Sequence, residues 1–128
     1  YGEMETLAAA LLLNADAIVV DEKTTRLLIE DPEKLAKNLS HRMHKKITID
    51  NKNLNLFSEA VTGVKLIRST ELITIAFDLG LLDNYSPTIP NAKKELLDAL
   101  LWGLKLEGCA ISEKEIRLIL KLEQSKFR

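Results

Sequence analysis

The sequence predicts an α/β fold with a parallel sheet, and three observations predict it. Ala15 to Val20 is nearly all apolar and β-branched towards its end, the pattern of a strand covered on both faces. Val64 to Ile67, introduced by Gly63, repeats that pattern much later in the chain. Helical periodicity fills the stretches around them, so helices rather than tight hairpins separate the strands. The order is helix, strand, helix, a less regular stretch, strand, and then three further helices.

The first helix runs from about Glu3 to Leu13, with Leu7, Ala8, Leu11 and Leu12 on one apolar face. A turn at Asn14-Ala15 feeds the first strand. Glu22 to Glu30 returns to helix through Leu27 and Leu28, and Asp31-Pro32 interrupts it because proline disfavours helix in the residue before it. Residues 32–61 read as an insertion between more regular units. Within them Leu35, Leu39 and Met43, spaced by four, suggest a helix, and Ile47-Thr48-Ile49 a short edge strand. Asp50 to Asn53 reads as a turn and Leu54 to Val61 as another short helix.

After the second strand, Ser69 or Thr70 caps a helix that carries Leu72, Ile73, Ala76 and Leu79 inward and stops at Gly80. Pro87 and Pro90 mark a loop. A long helix from about Ala92 to Leu106 presents Leu96, Leu97, Leu100 and Leu104, and ends at Gly108. The last helix opens with a capping box, in which Ser112 and Glu115 satisfy each other's amides, and turns Ile116, Ile119 and Leu120 inward. Two strands alone make a poor sheet. The pattern therefore predicts missing strands upstream of Tyr1, or pairing between chains.

A chain of 128 residues suits one compact domain with a real core. Hydrophobic residues at 46% and charged residues at 29% are ordinary for a globular protein. The formal net charge of −1 argues against a strongly electrostatic nucleic-acid coat but leaves room for a local basic patch. No apolar run approaches a membrane span, so no membrane association is expected. No signal peptide is expected, and the lone Cys109 offers no disulfide framework, which makes a reducing cytoplasm the expected location. Cys109 itself reads as a small apolar residue rather than a nucleophile.

The acids are the most informative feature. The first helix is roughly 15 Å long at about 1.5 Å per residue, and the strand after it spans a similar length at about 3.3 Å per residue. So short a turn between them makes them run back antiparallel. The helix N-terminus then lies beside the carboxyl end of the strand, and Glu3 meets Asp21 there. Ligands bind at that end of open α/β sheets. Glu3 and Glu5 are rotated about 200° apart on the helix. Leu7 and Leu11 share the side of Glu3, which makes Glu3 the inward acid and Glu5 the reserve. Carboxylates gathered on one ion favour Mg²⁺ or Mn²⁺. Each acid also has a structural use: a first-turn acid is stabilised by the helix dipole, and an acid after a strand commonly caps the next helix.

These residues resemble a known family, the PIN-domain ribonucleases, particularly its archaeal and toxin-like members. Gly2-Glu3-Met4-Glu5-Thr6-Leu7-Ala8 through Asn14-Ala15-Asp16-Ala17-Ile18-Val19-Val20-Asp21-Glu22 resembles the family's "GE-x-E-A … GAD-x-x-x-x-D-[DE]" segment. Val64 to Leu82, with Arg68-Ser69-Thr70-Glu71 and Leu79-Gly80-Leu81-Leu82, is similar to its last strand and helix, and Lys94 to Leu122 to the C-terminal helical tail of one subgroup. The resemblance covers most of the chain outside residues 32–61. It implies a PIN-like parallel sheet flanked by helices that lacks its N-terminal strand, with a helical C-terminal tail. It implies a metal-dependent endoribonuclease, with Glu3 and Asp21 as catalytic and metal-binding acids, Glu22 as an auxiliary metal ligand, and Mg²⁺ or Mn²⁺ as cofactor. The family's remaining acids lie on an early strand and helix that have no counterpart here, which makes an inactive fragment one expectation. The toxin-like members imply an antitoxin-like protein partner.

The stretch from Lys34 to Lys46 is locally basic, and Arg42, Lys45 and Lys46 read either as phosphate contacts for RNA or as a solvated helix face. Arg68, at a strand end, either contacts phosphate or serves a helix cap. His41 and His44, three apart, lack a third metal ligand and read as surface histidines. Trp102 and the leucines of the long helix are core or homodimer-interface material. The runner-up function is a non-catalytic module that binds RNA through residues 32–61 and dimerises through its C-terminal helices.

Overall fold

The computed structural model describes residues 2–86 and 88–126. Among them the chain is α/β and mostly helical, with seven α-helices and one two-stranded parallel sheet. It divides into two compact units, Tyr1–Ile67 and Arg68–Arg128.

The first unit comprises α1 (Gly2–Leu12), β1 (Ala17–Val19), α2 (Lys23–Glu30), α3 (Pro32–Met43), α4 (Asn51–Ala60) and β2 (Lys65–Ile67). α1 ends where Asn14 takes a left-handed backbone with φ 51°, a conformation asparagine tolerates better than most side chains. The Ala15 amide then donates to the Ala10 carbonyl at 2.9 Å, and the chain reverses into β1. β1 pairs with β2 in parallel, Ala17 opposite Lys65, Ile18 opposite Leu66 and Val19 opposite Ile67. The Val20 amide extends the ladder to the Ile67 carbonyl at 2.8 Å. Leu7 and Ala10 of α1 pack with Ile18, Val20 and Val61 to form this unit's core.

The strand is not covered on both faces as its composition predicts. Ile18 and Val20 are buried, whereas Val19 between them is 46% exposed. That is the period-two alternation of a strand with one covered side.

Residues 32–61 are more regular than their sequence suggests. Asp31 closes one helix and opens the next. Its amide donates to the Leu27 carbonyl at 2.9 Å, and its carboxylate accepts from the Lys34 amide at 3.0 Å. Pro32 takes the first helical position, where its missing N–H costs nothing. α2 and α3 therefore form a helical hairpin with a single connecting residue. The expected edge strand at Ile47-Thr48-Ile49 is not a strand: that segment joins no sheet, and the Ile47 amide is satisfied instead by the Ser40 hydroxyl at 2.9 Å. The expected turn at Asp50 to Asn53 is the start of α4, with the Asp50 carboxylate capping the Asn53 amide at 3.2 Å.

The second unit comprises α5 (Ser69–Asp78), a 3₁₀ turn (Asp83–Tyr85), α6 (Ala92–Leu106) and α7 (Glu113–Lys126). Its core is Phe77, Leu97, Leu101, Ile111 and Ile116, flanked by partly buried Ile73 and Trp102. The cap of α5 is Arg68 rather than Ser69 or Thr70, and the Arg68 amide donates to the Glu71 carboxylate at 3.0 Å. Leu72 and Leu79, expected inside, are exposed, because α5 turns its Thr70, Ile73 and Phe77 side inward. The predicted capping box at α7 is present: the Ser112 amide donates to Glu115 at 2.8 Å and the Glu115 amide to the Ser112 hydroxyl at 3.2 Å. Pro87 lies outside the described residues, so only Pro90 of the expected loop pair is placed.

Leu101 is 0% exposed and Leu106 on the same helix is 82% exposed. Leu101→Ala should lower stability by about 2–5 kcal/mol, the usual cost of a buried leucine cavity, while Leu106→Ala should stay within about 0.5 kcal/mol. Urea titration followed by circular dichroism checks both.

Candidate functional site

The reversal at Asn14 points the first turn of α1 towards the carboxyl end of β1, since Leu7 and Ala10 pack against Ile18 and Val20. Glu3 and Glu5 lie in that first turn. Glu3 is on the helical stripe of Leu7 and Leu11, yet it is exposed like Glu5. This exposure has a simple cause: the buried part of α1 begins only at Leu7, so its opening turn projects past the core. Asp21 follows the buried Val20 and is itself half-buried.

Glu22 has a defined structural job. Its two carboxylate oxygens accept from the amides of Thr24 at 2.8 Å and Thr25 at 2.6 Å, which caps α2. Partial burial pushes the Glu22 carboxyl upward, but the amides and hydroxyls of Thr25 and Thr24 outweigh it and hold the group below the ordinary glutamate value. An auxiliary metal-binding role would compete with that cap. Among the described residues, no group of three or more His, Cys, Asp or Glu side chains is assembled as a metal site. Glu3, Asp21 and Glu22 therefore do not form a ready-made trio, and His41 and His44 gain no third ligand.

Arg68 serves its own unit. Its guanidinium bonds Glu71 at 3.1 Å, Glu115 at 2.9 Å and the Ala110 carbonyl at 3.2 Å. Burial lowers its proton affinity, while the bonds to Glu115 and Glu71 raise it further, so the group is held firmly cationic. Its side chain is 17% exposed, which leaves little of it to meet an RNA phosphate. Of the two sequence readings, the helix-cap role is the one the geometry displays.

Arg42, Lys45 and Lys46 are exposed. They stand at and beyond the last turn of α3, in a run from Lys34 to Ile49 that contains no acidic residue. Lys23 and Asn38 were not signalled by the sequence as functional, yet the α2–α3 hairpin places them around one cleft with His41 and Arg42. The available signal was Asp31-Pro32, since a cap residue followed by a first-turn proline joins helices as readily as it stops one.

No helix among the described residues is long and apolar enough to cross a membrane. No family model, no curated protein and no solved structure matches the chain.

The Glu115 carboxyl is held at about 2, first by the Ser112 amide and then by Arg68, against a smaller opposing effect of burial. A carboxyl depressed in the folded state stabilises the fold above its unfolded pKa, about 4.3 for glutamate. That contribution fades as pH falls from there towards about 2. Glu115→Gln should therefore flatten the acid side of the stability profile in this window, read as the urea midpoint against pH. An unchanged slope would show that the Glu115 carboxyl carries no linkage.

Proposed function

We propose that the chain is a PIN-like, metal-dependent endoribonuclease in which Glu3 and Asp21 hold Mg²⁺ or Mn²⁺. The observation that supports this reading is the reversal of α1 into β1, which directs an acidic helix turn towards the carboxyl end of a parallel strand, where Asp21 follows. Two carboxylates from different elements suit a hard divalent ion, which ordinarily completes its shell with water and substrate phosphate. Such an ion would neutralise charge developing on the phosphate and lower the pKa of a bound water. Glu22 acts differently from its expected role as a ligand. By fixing the start of α2 it sets the backbone directly after Asp21. Glu5 remains the reserve acid of the same turn.

A second reading, a non-catalytic RNA-binding module, is favoured by the acid-free basic run from Lys34 to Ile49. Exposed Leu118 and Leu122, one turn apart on α7, support self-association through the C-terminal helices.

Isothermal titration calorimetry with Mn²⁺, paired with a cleavage assay on single-stranded RNA, separates the two. The nuclease reading expects Asp21→Asn to weaken Mn²⁺ binding by about tenfold or more and to abolish cleavage. An Mn²⁺ affinity untouched by Asp21→Asn would overturn it.

A further inference from the structure

The open end of the α2–α3 hairpin carries a cleft of about 320 Å³. Lys23 from the start of α2 and Asn38, His41 and Arg42 from the end of α3 stand around it. Its inner wall is apolar, made by Leu27, Leu35 and Leu39. The volume sits near the lower bound of about 300 Å³ for sites that enclose small ligands.

The charge around this cleft is one-sided. Lys23, His41 and Arg42 form no ion pair among the described residues. The nearest acid in sequence, Glu22, has both oxygens turned into the α2 amides. The other acids of the hairpin, Glu30, Asp31 and Glu33, belong to its closed end, where Glu30 pairs with Arg26 at 3.1 Å. Two permanent cations therefore face a concave space with a leucine-lined wall, in a chain whose formal net charge is −1. Arginine and lysine so placed favour a phosphate group, arginine by its planar fork and lysine as a point charge. The leucine wall offers a surface for a flat, weakly polar ring. A ligand that needs both is a nucleotide.

We propose that this cleft binds one nucleoside monophosphate unit, its phosphate held by Lys23 and Arg42 and its base laid against Leu27, Leu35 and Leu39. The same chemistry comes from two sources, a free nucleotide or the phosphorylated end of an RNA chain. A concave site of this size accepts a chain end rather than a continuous backbone track. Neither Glu3 nor Asp21 lines this cleft, so the inference does not rest on the nuclease reading.

Amide chemical shifts of the ¹⁵N-labelled chain, followed during titration with AMP, test it. The expected result is saturable shifts at Lys23, Asn38 and Arg42, with adenosine and inorganic phosphate each binding at least tenfold more weakly. Arg42→Ala should weaken AMP by about tenfold or more, Arg42→Lys should recover part of the loss, and Lys65→Ala should change nothing. Titration in the presence of EDTA should give the same AMP affinity, which separates this result from that of the metal titration. Tighter binding of a short RNA with a 5′-phosphate than of AMP identifies the chain end as the source, and binding no tighter than AMP identifies the free nucleotide. Equal affinity for adenosine and AMP, shifts confined to other residues, or indifference to Arg42→Ala would overturn the proposal.

Discussion

Asn14 adopts a backbone conformation that a β-branched side chain would resist, and in doing so lets the Ala15 amide reach back to the Ala10 carbonyl. The last turn of α1 is thereby satisfied and the chain reverses at once. This closes the helix without a long connection, so Leu7 and Ala10 fall onto Ile18 and Val20. β1 then pairs with β2 in parallel register. Left-handed backbone costs an ordinary residue roughly 1–2 kcal/mol. Asparagine lowers that cost, and burial of the four packed side chains offsets the remainder. The direction of α1, the end of β1 where Asp21 emerges, and the place of the acidic first turn all follow from this reversal.

Several carboxylates in this chain serve the backbone. Glu22, Asp31 and Asp50 each cap a helix, and Glu115 does the same while also holding Arg68. Such caps satisfy amides that have no partner within their own helix. Beyond these caps, two places stand out: the basic open end of the α2–α3 hairpin and the acidic first turn of α1. Both of the chain's functional proposals fall on those two places.

The sequence was legible where one signal dominated. The Ser112–Glu115 box, the apolar strand before Asp21, the second strand after Gly63 and the stop at Gly108 each rest on local chemistry, and each is present. Legibility failed where the same residues serve two purposes. Asp31-Pro32 reads as a stop because proline disfavours helix before it, but Asp31 is also a strong cap, and the cap decided the outcome. Ile47-Thr48-Ile49 has strand composition, yet a strand needs a partner edge, and Ser40 took its amide first. On α5 the apolar residues surround the helix, so periodicity could not say which side faces Phe77. At the site, the direction of the α1–β1 reversal was readable from lengths alone. The exposure of Glu3 was not, because it depends on how far the core extends along α1. The use of Arg68 and Glu22 as structural groups depends on partners distant or backbone-borne, which no motif displays.

The account rests on Glu3 and Asp21 standing close enough at one end of the sheet to share a single ion. Paramagnetic broadening by a trace of Mn²⁺ reads that directly in the ¹⁵N spectrum. The account predicts that the amides of residues 2–5 and of 20–22 lose intensity together and ahead of the rest. Broadening at only one of the two segments, or first around another acid such as Asp83 or Glu95, would contradict it.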